Sequence, residues 1–232
     1  MHWAVVHSLF DLLAVAAGWL AGRATGAMLP ADGARRGLDY YATLLTSAAL
    51  GAYWFGTINL VLSGRPGIGR SVFGAMLGGI VGIEIWKRLK GIRMSTGARL
   101  VAPLAVGIGV GRIGCFMAGL EDFTHGTPST LPCAVDLGDG IARHPVQLYE
   151  TALMLGFAAL FVLWLRRDPH AAAARGFYVF AGFYALDRFA LEFLKPYGTL
   201  AGTLTIFQLG AILLFGYAVV MYRGVAHARA QG

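Results

Sequence analysis

The chain has 232 residues, 57% of them hydrophobic and only 13% charged, with a formal net charge of +7 and a mean hydropathy of +0.63. An average soluble domain carries roughly 25% charged residues, so this composition argues against a soluble fold and predicts a polytopic membrane protein. The positive excess does not point to nucleic acid, because the basic residues fall in short segments between apolar runs and form no patch interleaved with aromatics.

Apolar runs of spanning length occur near residues 3–22, 40–63, 71–87, 97–119, 146–165, 175–194 and 203–222. They predict an all-α fold of about seven transmembrane helices, read as one domain over residues 1–232 with no room for a separate soluble unit. The first run, MHWAVVHSLFDLLAVAAGWLAGR, lacks the basic n-region and small-residue cleavage site of a signal peptide and is expected to be a retained span. The third, SVFGAMLGGIVGIEIW, is the shortest and carries Glu84; its Gly74, Gly78 and Gly82 recur every four residues and form a flat strip for a neighbouring helix.

Loops rich in Lys and Arg stay cytoplasmic. Arg23, Arg35 and Arg36 follow the first run; Lys87, Arg88, Lys90, Arg93 and Arg99 join the third and fourth; Arg166, Arg167 and Arg175 join the fifth and sixth; Arg223 and Arg229 end the chain. The alternate connections hold only Arg65, Arg70, Arg143 and Lys195, which predicts a periplasmic N-terminus and a cytoplasmic C-terminus. The polar stretch at about 120–145, LEDFTHGTPSTLPCAVDLGDGIARHP, then lies outside, and its prolines and alternating apolar residues predict an ordered loop. Cys115 and Cys133 have no C-x-x-C spacing, and a disulfide between them stays open. With no G-x-x-x-x-G-K and no zinc-like His/Cys cluster, no cofactor and no metal are expected.

Two arginines fall where apolar residues are expected. Arg112 lies in GRIGCFMAG, and Gly107, Gly109, Gly111 and Gly114 thin the helix around it, leaving space for another backbone or a ligand. Arg188 lies in FAGFYALDRFALEFLKP, where Tyr184, Arg188 and Glu192 share one helical face, with Asp187 beside them. Charged groups in a span face a polar cavity or a partner, so a structural ion pair and a ligand site are both open readings. Both arginines fall toward the outer ends of their spans. Two guanidiniums at one depth suit a lipid phosphate, whose oxygens the planar fork binds bidentately.

Three stretches, GRIGCFMAG (111–119), RHPVQLYE (143–150) and RFALEF (188–193), resemble in order and spacing the signature segments of the prolipoprotein diacylglyceryl transferase family of bacterial inner-membrane enzymes. The resemblance implies a multi-pass inner-membrane protein that moves the diacylglyceryl group of phosphatidylglycerol onto the lipobox cysteine of a prolipoprotein, releasing glycerol phosphate and forming a thioether. By the matching motifs, Arg112 and Arg188 are the expected lipid-phosphate residues, and Glu192 holds Arg188. Glu121 and His144 join these three as expected catalytic residues. Arg143, Gly114, Cys115, Gly119, Gln147, Tyr149, Glu150 and Tyr184 are the expected substrate-binding residues. The expected partners are phosphatidylglycerol, a lipobox peptide and the bilayer, with no nucleic acid.

The chain departs from the family pattern in places. Cys115 stands where asparagine is usual, Leu120 where glutamate is usual, and Phe73 where a histidine proposed as base precedes the glycine-rich third span. Phe10 takes the place of an early tyrosine, and GAYWFGTINLV lacks an arginine many members carry. Glu121, His125, His144 or water near the arginines are then the remaining proton acceptors. Two alternatives stay open: a phosphatidylglycerol-dependent transferase with a different acceptor, and a non-catalytic lipid-binding homologue.

Overall fold

A computed structural model describes residues 2–31, 36–65 and 67–230, with side chains described over 5–31, 36–65 and 67–225. Of the basic residues used to read orientation, Arg35 and the side chain of Arg229 lie outside these ranges. Seven long helices follow in order among the described residues: α1 (His2–Gly26), α2 (Leu38–Leu62), α3 (Val72–Leu89), α4 (Ala98–Ala118), α5 (Val146–Arg167), α6 (Pro169–Glu192) and α7 (Ile206–Ala230). The fold is that of an all-α polytopic membrane protein. By length and composition, α1, α2, α4, α5 and α7 are apolar enough to cross a membrane. The other two carry more charge: Glu84, Lys87 and Arg88 on α3, and Arg175, Asp187, Arg188 and Glu192 on α6.

Small residues set the helix pairs. A Cβ at Gly51 of α2 would run into the Gly74 carbonyl and the Gly78 backbone of α3, and one at Gly82 into the Ser47 side chain, so the glycine strip of α3 seats directly on α2. Gly18 and Gly22 of α1 face Pro103 of α4, where an added Cβ would lie 2.9 Å from the proline. Glu84 is held by Lys87 Nζ at 2.9 Å and accepts from the Tyr217 hydroxyl of α7 at 2.8 Å, which accounts for a carboxylate in so apolar a helix.

The connection between α5 and α6 differs from the sequence expectation. The stretch 166–174 does not form a loop: Asp168 alone separates the helices, and Arg175 and the AAAA run are helical. Asp168 caps α6 by accepting from the Ala171 N–H at 2.9 Å, Pro169 occupies the first turn where its missing N–H costs nothing, and alanine is the strongest helix former.

The segment between α4 and α5 starts with a 3₁₀ turn, Gly119–Asp122, entered through Gly119 at φ 69°. It then forms a two-stranded antiparallel ladder, β1 (Val135–Asp136) with β2 (Ala142–Arg143). Asp136 Oδ1 accepts from the N–H groups of Gly138, Asp139 and Gly140, closing the turn. The Thr127 N–H donates to the Leu194 carbonyl at 2.7 Å, tying the segment to the end of α6. Both cysteines are free thiols; Cys115 is buried in α4 while Cys133 is exposed and lies 3.2 Å from the Tyr149 hydroxyl, so the disulfide reading is set aside.

Candidate active site

A cavity of about 910 Å³ opens between α1, the α2–α3 connection, α4 and the ends of α6 and α7. Arg112 and Arg188 both line it. Gly107 and Gly111 form part of its wall, whereas Gly109 packs against Leu155 and Gly114 against Phe10. The glycines around Arg112 therefore serve two ends: two clear space beside the guanidinium, and two let neighbouring helices close in.

Each arginine is held from behind by a carboxylate. Arg112 Nε lies 2.9 Å from Glu150 Oε2 of α5, an ion pair without hydrogen-bond alignment, and Lys195 Nζ reaches the same oxygen at 3.5 Å. Arg188 Nη2 lies 3.1 Å from Glu192 Oε2 on its own helix. Glu192 is fixed in turn by the Thr205 hydroxyl, which donates to Oε1 at 2.9 Å. Thr205 also caps α7: its Oγ1 accepts from the Gln208 N–H, and the Gln208 side chain accepts from the Thr205 N–H, a reciprocal capping box.

The pairing of Arg188 is incomplete. Arg188 is 3% exposed, yet its Nε and Nη1 have no hydrogen-bond partner among the described residues, and its guanidinium lies over the Phe207 ring at 4.3 Å. Buried donors without acceptors are costly, and a guanidinium fork with two spare nitrogens fits an anionic oxygen pair. Around the same cluster, Lys195 is pushed down to about 8 by burial and then by the Arg188 charge, and burial raises the Tyr197 hydroxyl.

The expected site residues separate into two groups. Arg112, Arg188, Cys115 and Glu121 line the cavity, with Glu150 and Glu192 directly behind the arginines. Gln147 is buried and donates to Thr124 Oγ1 at 3.4 Å, and Tyr184 is buried against Phe180. Gly114 and Gly119 act through backbone, in the α1 contact and the turn. His144, Arg143 and Tyr149 stand elsewhere: His144 lines a shallow pocket with Pro128 and Ile141, Arg143 forms a two-pronged pair with Asp139 at 2.6 and 2.7 Å, and Tyr149 meets Cys133. Phe73 is enclosed by Phe55, Tyr184 and Phe207 and lends no polar atom.

Sequence reasoning passed over three cavity residues. His7 of α1 lies 3.1 Å from Asp122 Oδ1 and 3.8 Å from Cys115 Sγ. Arg65 and Arg70, from the α2–α3 connection, line the cavity wall, and the Arg65 guanidinium sits 3.6 Å over the Phe123 ring. An isolated histidine early in an apolar run carries no spacing signal. In the sequence the two arginines count only as loop charge.

The family model described as "Prolipoprotein diacylglyceryl transferase" matches residues 6–223, nearly the whole chain and all the elements that line the cavity. The chain belongs to the prolipoprotein diacylglyceryl transferase family. Curated relatives bear the name phosphatidylglycerol–prolipoprotein diacylglyceryl transferase. The protein from Bordetella avium is 28% identical over 96% of this chain and 89% of its own. That from Nitratidesulfovibrio vulgaris is 34% identical over 83% of this chain and 70% of its own. Similarity to the Teredinibacter turnerae and Methylococcus capsulatus members of the family spans 44% and 63% of those proteins. No solved structure matches the chain.

Proposed function

We propose that this protein, in the bacterial inner membrane with its N-terminus periplasmic, transfers the diacylglyceryl group of phosphatidylglycerol to the lipobox cysteine of a prolipoprotein. The observation that carries the reading is the pair of buried guanidiniums from α4 and α6 lining one cavity, with Arg188 Nε and Nη1 unpaired among the described residues. Seated there, the lipid phosphate takes the place of the missing acceptors, and its acyl chains run out between α1, α4 and the exposed apolar faces. As the glyceryl C–O bond to phosphate breaks, charge collects on the departing oxygen, and donors fixed in advance stabilise it most where water is excluded. Glu150 and Glu192 keep the forks aimed, and Arg65 and Arg70 add positive potential at the mouth. Ionisation of the acceptor thiol falls to the group beside Arg112, where His7, Cys115 and Asp122 gather.

The test is transfer of labelled diacylglyceryl from phosphatidylglycerol to a lipobox peptide by the purified protein. Arg112→Ala and Arg188→Ala should each lower the rate by about 10²–10³-fold, the scale of removing one oxyanion donor. Normal transfer by both variants would exclude the site. Lipid consumption without peptide modification would instead assign a different acceptor.

A further inference from the structure

His7, Cys115 and Asp122 come from the start of α1, the end of α4 and the 3₁₀ turn that follows, and their ligand atoms all lie within 4.8 Å of one another. Nε2 of His7 is 3.1 Å from Asp122 Oδ1 and 3.8 Å from Cys115 Sγ. Tetrahedral zinc, with bonds of about 2.0–2.3 Å to nitrogen, oxygen and sulfur, separates its ligand atoms by about 3.3–3.6 Å. The two spacings from His7 Nε2 bracket that range.

A second observation concerns the other ring nitrogen. His7 Nδ1 lies 3.2 Å from Asp11 Oδ2, one helical turn on. In the tautomer whose Nδ1–H donates to Asp11, the Nε2 lone pair faces Cys115 and Asp122, the arrangement that orients metal-bound histidines. Asp122 is steadied from behind by the Thr124 hydroxyl, which donates to Oδ2 at 2.5 Å. All three ligand residues, and Asp11, line the same cavity as Arg112 and Arg188. A metal here has three protein ligands and one side facing the cavity, the pattern of catalytic rather than structural zinc. Charge also balances: a divalent ion with one thiolate, one carboxylate and one neutral imidazole is formally neutral, so it can sit beside Arg112, whose Nη1 is 3.8 Å from Cys115 Sγ.

We propose that His7, Cys115 and Asp122 form a three-ligand site for a divalent transition metal, zinc by its mixed sulfur, nitrogen and oxygen donors, whose fourth position takes the acceptor thiol. This replaces the metal independence expected from sequence and rests on the transferase reading for the identity of the thiol. With hydroxide at the fourth position, the incoming thiol gives up its proton to it, water leaves, and a zinc–sulfur bond replaces zinc–oxygen. The bound thiolate then attacks the glyceryl carbon: carbon–sulfur forms, carbon–oxygen breaks with its electron pair, and glycerol phosphate departs toward the arginines. The arginines thus receive the leaving anion, and the metal beside Arg112 holds the nucleophile.

The experiment uses the full chain in detergent, loaded with Zn²⁺ or with Co²⁺ as a spectroscopic probe, and measures metal per chain and the thiolate-to-cobalt charge-transfer band. One equivalent with that band is expected. Cys115→Ser should abolish the band, and Asp11→Asn, which leaves every ligand in place, should weaken affinity by about 10–100-fold. A chain that binds phosphatidylglycerol normally but retains no stoichiometric metal and gives no band overturns the site, since lipid binding certifies the fold. Full transfer by chelator-treated protein also overturns it while leaving the transferase reading intact. Stoichiometric metal without thioether product sustains the site and counts against the transferase reading alone.

Discussion

Glu150 is the anion on which the arginine cluster turns, and its replacement tests the electrostatics most directly. It is 1% exposed and lies 2.9 Å from Arg112 and 3.5 Å from Lys195. At an effective dielectric of about 20, each contact amounts to about 5 kcal/mol of attraction before desolvation is counted. Removing one partner of such a buried group costs about 3–5 kcal/mol, because the remaining charges stay buried without compensation. Glu150→Gln keeps the shape and leaves Arg112, Arg188 and Lys195 facing Glu192 and whatever charge Asp187 carries. The apo protein should lose stability on the order of 10 °C in midpoint. An anionic lipid restores the missing charge, so phosphatidylglycerol should raise the midpoint of the variant more than that of the parent, whereas phosphatidylcholine should not separate the two. Thermal unfolding in mixed micelles reads both effects. Equal shifts by phosphatidylglycerol in parent and variant would refute the view that the lipid phosphate sits with these cations.

Lys195 makes the cluster sensitive to pH. Its ammonium, held down to about 8, is charged below that value and neutral above it, so phosphatidylglycerol affinity should fall as pH rises through 8, and Lys195→Arg should flatten the profile. The same shift has the opposite sign for folding: between about 8 and the 10.5 of an unperturbed lysine the unfolded chain holds the extra proton, so this group's stability contribution rises with pH across that window. Gly78→Leu should cost at least the ~1–3 kcal/mol of overpacking, because its side chain would enter the Ser47 and Gly51 backbone of α2; a variant as heat-stable as the parent would contradict that packing. Asp139→Asn should loosen the β1–β2 turn and speed proteolysis there while leaving phosphatidylglycerol affinity unchanged, since the Asp139–Arg143 pair stands apart from the cavity.

What the sequence reveals depends on how far apart the cooperating residues lie. Arg188 and Glu192 are one helical turn apart, so their pairing can be read from spacing. Arg112 announces itself because a guanidinium in a glycine-rich apolar run demands a reason. Its partner Glu150, however, arrives from α5 and sits in a segment that reads equally well as an interfacial helix start. The glycine strip of α3 is legible as a packing face since four-residue spacing has one geometric meaning on a helix. His7, Cys115 and Asp122 are not legible as a group, because three elements bring them together and no local pattern marks any of them. His144, conspicuous in RHPVQLYE, points to the α4–α5 segment instead of the cavity. The AAAA run at 171–174 falls between two apolar runs because alanine has no side chain to declare a face, although its propensity argues for helix.

The single-residue joint at Asp168 acts as a depth gauge. Measured from that corner at ~1.5 Å per residue, Glu150 lies about 27 Å up one helix and Arg188 about 30 Å up the other, less than one turn apart in height. A longer hinge would let the two rods slide, and the counter-ion of one guanidinium would drift out of level with its neighbour. Lengthening that corner is therefore a way to detune the charge cluster from its far end, without touching any residue that lines it.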